Sequence, residues 1–143
     1  MVTNVQPGSA AEEAGLSRLY GGIHIQDGDL FGKLDRPKIS EDMVAAAAYL
    51  KGRPDCTGKV GVVGFCFGGG VAQMLATRMP DLGAAVSFYG NSPAPEEASK
   101  IKSPMLLHFA ATDERINAAR PAWEAALKAA NVPFESHQYP GTQ

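Results

Sequence analysis

The residues with the most chemistry per position lie in Gly64-Phe65-Cys66-Phe67-Gly68-Gly69-Gly70. A cysteine with glycine at minus two and plus two, G-x-C-x-G-G, has the form of a nucleophile elbow. There the nucleophile sits on a strained turn with its side chain thrust clear of a sheet, so the residues two places away have to lack side chains. Gly64 and Gly68 meet that demand, and Gly69 completes the elbow glycines. The Phe67 amide then opens a helix and points at whatever oxygen Cys66 attacks. A helix N-terminus favours both the thiolate, which is the reactive form, and the developing oxyanion. Two other readings compete. A buried cysteine in a glycine-rich turn serves packing alone. Alternatively, Gly61, Gly64, Gly68 and Gly69 form a dinucleotide loop, but that loop wants G-x-G-x-x-G and an acidic residue ending the next strand. The next strand here ends in Ser87-Phe88-Tyr89-Gly90.

A nucleophile on such a turn works with a carboxylate and then a histidine, in that chain order. Asp113, in Ala110-Ala111-Thr112-Asp113-Glu114-Arg115, follows the apolar run Met105 to Ala110. This places it on the edge where parallel-sheet sites collect. Its rivals are a helix N-cap or solvated-loop role, and Glu114 one residue on. Of the histidines, His24 precedes the elbow, His108 lies within a strand, and His137 follows Asp113 but lies inside the strand FESHQY. His137 is the only understudy for the base.

The elements that position these residues are cut out cleanly by 16 glycines and 10 prolines in 143 residues. The spacing of Met43, Ala47 and Leu50 predicts a helix over 40–50, with Ser40 as N-cap and Gly52 and Pro54 beyond its end. Lys59 to Phe65 is a short apolar run without alternation, which predicts a central parallel strand buried on both faces. A helix follows from Gly68 to Met79, stopped by Pro80, then a strand over 84–89 and a proline-rich loop over 92–99. Strands are expected over 105–110 and 134–139. Between them a helix runs from Asn117 through Trp123, Ala126, Leu127 and Ala130. Alternating β and α units imply a parallel sheet with helices on both faces, an α/β fold.

Composition narrows the classes. With 45% hydrophobic residues, 20% charged residues and a net charge of −2, the chain is one globular domain with a real core rather than a disordered segment. No apolar run approaches the roughly 18 residues of a membrane span. No Lys/Arg cluster supplies a footprint for nucleic acid. Two cysteines are too few for a disulfide framework, and the start of the chain is not a secretory signal, so a cytoplasmic, reducing setting is expected.

From about residue 31 to 143 the sequence resembles the dienelactone hydrolase (carboxymethylenebutenolidase) family of α/β-hydrolases. The segments that carry this are KLDRPKISEDMVAAAAYLK, GKVGVVGFCFGGG, AAVSFYG, KIKSPMLLHFAATDERI and HQYPGTQ. The resemblance implies a partial α/β-hydrolase fold with Cys66 as nucleophile, Asp113 as triad acid and the Phe67 amide as an oxyanion donor. It implies a small-molecule lactone or ester substrate, often carrying a carboxylate, and no metal or cofactor. In the family the triad histidine follows the YPGT turn almost directly, so the sequence is expected to stop short of its base. Strands that precede the elbow in the family are not recognisable here, which leaves a bare strand edge and the expectation of a homo-oligomer unless LYGGIHI, the one nearby β-like stretch, covers that edge. Residues 1–30 read as a foreign leader. Within them Ser17-Arg18-Leu19-Tyr20-Gly21-Gly22-Ile23-His24 resembles the S-R-x5-H motif of vanadium haloperoxidases and related acid phosphatases. The expectation is therefore a dienelactone hydrolase-type enzyme with impaired turnover, set against a catalytically silent α/β fragment of structural or oligomeric role.

Overall fold

The computed structural model describes residues 35–142. The leader over 1–30, with its Ser17-to-His24 motif, lies outside the described residues. The chain divides into two units, Met1–Tyr49 and Leu50–Gln143.

Helix α1 spans Arg36–Gly52. It begins earlier than the periodicity of its apolar residues predicts, because Asp35 is the better cap: its Oδ1 accepts from the Lys38 amide at 3.1 Å. Pro37 fits the first turn, where an N–H has no partner to lose. Ser40, expected at the cap, lies inside the helix and donates its hydroxyl to the Arg36 carbonyl at 3.1 Å. A Lys38–Asp42 pair at 2.9 Å adds an i,i+4 contact on the exposed side.

In the second unit, four strands run parallel in the order β1 (Gly61–Phe65), β2 (Ala84–Phe88), β3 (Met105–Ala110) and β4 (Phe134–Tyr139). Helix α2 (Phe67–Arg78) joins β1 to β2, and a 3-10 helix over Pro95–Lys100 lies between β2 and β3. Helices α3 (Glu114–Asn117) and α4 (Arg120–Ala129) lie between β3 and β4. This is the expected α/β class. The proline-rich stretch over 92–99, expected as a loop, is partly 3-10 helical because Pro95 presets its first turn. The helix expected to run unbroken from Asn117 is split. The Pro121 ring would collide with the carbonyl four residues back, which belongs to Asn117, so α4 starts afresh at Arg120.

Side chains alternate across a strand, and the alternation divides the sheet. Gly64, Ala85, Ser87, Met105, Leu107 and Phe109 are buried on one face. Gln73 of α2 reaches Ser87 there, and the Arg120 guanidinium of α4 lies 4.9 Å from the centre of the Phe109 ring. Trp123 and Leu127, one turn apart on α4, are fully buried, as their spacing requires. On the other face Val63 and Phe65 remain 60% and 53% exposed. In the order β1-β2-β3-β4, β1 is one of the two end strands among those described, and one of its faces is exposed, whereas the sequence predicts a central strand buried on both faces. Its sequence fails to alternate for a local reason: glycines at 61 and 64 stand where side chains would mark the two faces. Among the described residues, no helix is long and apolar enough to cross a membrane.

Candidate active site

The site is built where β1 ends. Cys66 adopts φ 54 and ψ −118, a positive-φ backbone outside the left-handed helical well that costs a non-glycine residue about 1–3 kcal/mol. Its neighbours impose that conformation. The Cys66 amide donates to the Phe88 carbonyl at 3.0 Å, extending the β1–β2 pairing by one residue, while its own carbonyl accepts from the Gly69 amide at 3.0 Å as α2 begins. The turn from strand to helix takes place at a single residue. The Cys66 thiol is free and exposed, whereas the free thiol of Cys56 is half-buried.

Close approach accounts for two of the three elbow glycines. A Cβ on Gly64 would lie 1.9 Å from the Gly68 carbonyl oxygen, and one on Gly69 would lie 2.6 Å from the Phe88 carbonyl oxygen. Gly68 departs from expectation: a Cβ there would meet nothing within 4 Å. It shapes the turn through its carbonyl, which occupies the space a side chain on Gly64 would need. Sequence reasoning missed Gly90, where a Cβ would lie 2.2 Å from the Gly69 carbonyl carbon. The signal was present in SFYG, a glycine directly after an apolar strand. Phe67 is the first residue of α2, so its amide stands at the positive end of that helix.

Asp113 lies three residues beyond β3, on the same carboxyl edge of the sheet as Cys66, with the end of β2 between them. It caps α3: its Oδ1 accepts from the Ile116 amide at 3.1 Å. Glu114 is exposed at the first position of α3. No hydrogen bond joins Asp113 to Cys66. Instead a chain of contacts runs between their segments through the turn after β2. Arg115 donates to Asn91 Oδ1 at 3.1 Å, and Gln73 of α2 donates towards the Gly90 and Asn91 carbonyls, each at 3.4 Å. Sequence reasoning did not single out Gln73, although one amide in the apolar run VAQMLA was a visible anomaly.

The described histidines lie elsewhere. Register places Phe65, Phe88, His108 and His137 side by side across the four strands. The Phe65–Phe88 rings stack at 4.7 Å, Phe88–His108 at 4.2 Å and His108–His137 at 5.7 Å. His108 Nδ1 pairs with the Tyr139 hydroxyl at 2.8 Å. Burial, and secondarily the like charge of His137, hold the His108 imidazole below the ordinary histidine range. His137 Nε2 faces Glu135 Oε2 at 3.4 Å. Neither ring is hydrogen-bonded to Cys66 or Asp113, and His24 lies outside the described residues. Among the described residues, no group of three His, Cys, Asp or Glu side chains is arranged to hold a metal.

A parallel sheet whose strand-to-helix turn carries a cysteine in strained backbone, with a carboxylate on the same edge, has the architecture of an α/β-hydrolase. Within that class, the chain belongs to the dienelactone hydrolase family, whose model matches residues 24–143. A Saccharolobus solfataricus protein assigned as a carboxymethylenebutenolidase is 39% identical over 111 residues, covering 76% of this chain and 43% of that protein. A mouse carboxymethylenebutenolidase homolog is 39% identical over 77 residues, covering 53% of this chain and 31% of its own. The crystal structure of a Klebsiella pneumoniae protein assigned as a dienelactone hydrolase superposes with a TM-score of 0.67 at 26% identity, covering 78% of this chain and 51% of that one. The chain thus spans less than half the length of these two curated relatives.

Proposed function

We propose that this chain cleaves a small-molecule lactone or ester through an acyl-thioester on Cys66. The observation that carries the reading is the strained backbone of Cys66 between β1 and α2, which leaves its thiol exposed. The Cys66 thiolate attacks the substrate carbonyl carbon and forms an S–C bond, and the carbonyl electron pair moves onto oxygen. The Phe67 amide, at the positive end of α2, stabilises that oxyanion. Collapse breaks the bond to the ester oxygen, which leaves as an alkoxide and takes a proton from solvent. From a lactone, this alcohol stays tethered to the acyl group. Water then adds to the thioester, the thiolate departs and the carboxylic acid is released.

Asp113 stands where the carboxylate of such an arrangement orients a histidine, and among the described residues no histidine contacts it. Because His108 and His137 are held in the aromatic row, the second half of the reaction lacks a base among the described residues. A general base contributes about 10² to 10⁴-fold. A thiolate attacks without one, whereas water has to be deprotonated as it adds to the thioester, so with the described residues alone acylation outruns deacylation. Both cysteines are free, which suits work in a reducing compartment such as the cytoplasm. Rapid mixing with p-nitrophenyl acetate tests the reading. One equivalent of nitrophenolate per chain is expected in a burst followed by slow release, with the burst lost in Cys66→Ser. Steady turnover without a burst, unchanged in Cys66→Ser, would refute it.

A second reading, a catalytically silent fragment of structural or oligomeric role, is favoured by the exposed Val63 and Phe65 on β1, at one end of the described sheet. It predicts no burst.

A further inference from the structure

We propose that Gln73 is a positioning residue for the nucleophile, pinning the turn after β2 against the elbow so that Cys66 is held in its attacking geometry; this rests on the acyl-thioester reading above. Gln73 is completely buried, one helical turn beyond Gly69. Its Nε2 faces three oxygens: Ser87 Oγ at 3.0 Å and the Gly90 and Asn91 carbonyls, each at 3.4 Å. Two carbonyl oxygens accept and cannot donate, so the group facing them has to be the amide nitrogen. An apolar side chain of equal length would fill the space and leave those carbonyls without this donor.

The pinned turn is one jaw of the elbow. The Phe88 carbonyl, at the end of β2 where this turn begins, receives the Cys66 amide, and Gly90 of the turn lies against the backbone of Gly69. Tyr89, between them, is itself at positive φ, 41, with its amide tied to the His108 carbonyl at 2.8 Å. Strained residues persist where their surroundings over-determine them. Here two such residues, Cys66 and Tyr89, belong to segments that face each other, and Gln73 is the buried side chain that binds the helix of one to the turn of the other. Arg115 holds Asn91 from the other side and extends the tie towards the segment of Asp113. The consequence is specific to attack on a carbonyl. Acylation needs the thiolate aimed so that the oxyanion meets the Phe67 amide, whereas alkylation by iodoacetamide needs only an exposed thiolate.

The test compares the two reactions in the full chain, with p-nitrophenyl acetate and iodoacetamide as probes. Gln73→Met is expected to slow Cys66 acylation about tenfold, as misplacement of a reacting group does, while Cys66 alkylation stays within about twofold. Gln73→Asn, whose amide falls one methylene short of the carbonyls, is expected to show the same split and decides the matter if the methionine variant does not fold. Leu75→Ala, which loosens the packing of the same helix, is expected to lower thermal stability and to leave the ratio of the two rates unchanged. Equal slowing of both reactions in the folded Gln73 variants, or no slowing of acylation, would overturn the role. Should the wild-type chain show no acylation of Cys66, the acyl-thioester reading fails before the Gln73 comparison begins.

Discussion

The amide of Cys66 donates to the carbonyl of Phe88 at 3.0 Å, so the ladder between β1 and β2 continues into the residue at which the chain leaves the sheet. That bond makes Cys66 part of the sheet rather than of a loop. The elbow is thereby tied through its backbone to the end of β2, and Gly90 in the turn that follows packs against Gly69.

Crowding at the elbow predicts opposite outcomes for two glycines that the sequence presents as equivalent. Gly64→Ala drives a Cβ into the Gly68 carbonyl and is expected to cost at least about 3 kcal/mol or to prevent folding. Gly68→Ala enters open space within a helix and is expected to leave stability unchanged or raise it by up to about 1 kcal/mol. Denaturant titration of the two variants checks this.

Two substitutions separate the capping role of Asp113 from its charge. Asp113→Ala removes the acceptor of the Ile116 amide and is expected to lower stability by about 1 kcal/mol. Asp113→Asn keeps a capping oxygen and is expected to stay within about 0.5 kcal/mol of wild type. With no described histidine in contact with Asp113, neither variant is expected to slow the acylation burst. A strong loss of burst in Asp113→Asn would show that the carboxylate acts on the first step.

Stability is expected to fall on mild acidification because of His108. Its folded pKa lies below the ordinary value of 6.5, chiefly through burial. The unfolded chain therefore binds more protons below that value, and the contribution of neutral His108, complete above pH 6.5, declines as pH drops towards the folded pKa. His108→Phe, which keeps a ring between Phe88 and His137, is expected to show a smaller drop in Tm than wild type between about pH 7.5 and about pH 5.5. An equal drop in both proteins would remove His108 from the account.

Strand β1, at one end of the described sheet, carries exposed Val63 and Phe65, and an apolar strand at a sheet end is a template for association. The chain is expected to self-associate in light scattering, and Val63→Lys is expected to raise the monomer fraction. A wild-type monomer at all concentrations would contradict this.

Much of this site was legible before the structure because its constraints are local. An apolar run, G-x-C-x-G-G and a helix pattern fix a strand, a turn at Cys66 and a helix within 20 residues of one another. Strands β3 and β4 were legible to the residue for the same reason, bounded by proline and turn residues on both sides. The features that escaped are set by distant neighbours. Gly90 and Gln73 acquire their roles only when the turn after β2 is folded onto α2, and Gly68 loses its expected one because nothing packs where its side chain would go. The split at Pro121 and the cap at Asp35 were local and readable, but the apolar periodicity used to set those helix ends carries no information about where the backbone amides find their acceptors.

The most direct test of Cys66 as the nucleophile is peptide mass mapping after brief exposure to p-nitrophenyl acetate under native conditions. The elbow geometry predicts a single acetyl group on Cys66, with Cys56 unmodified until the chain is denatured. Acetylation of both cysteines at equal rates, or an unmodified Cys66 in the folded chain, would contradict it.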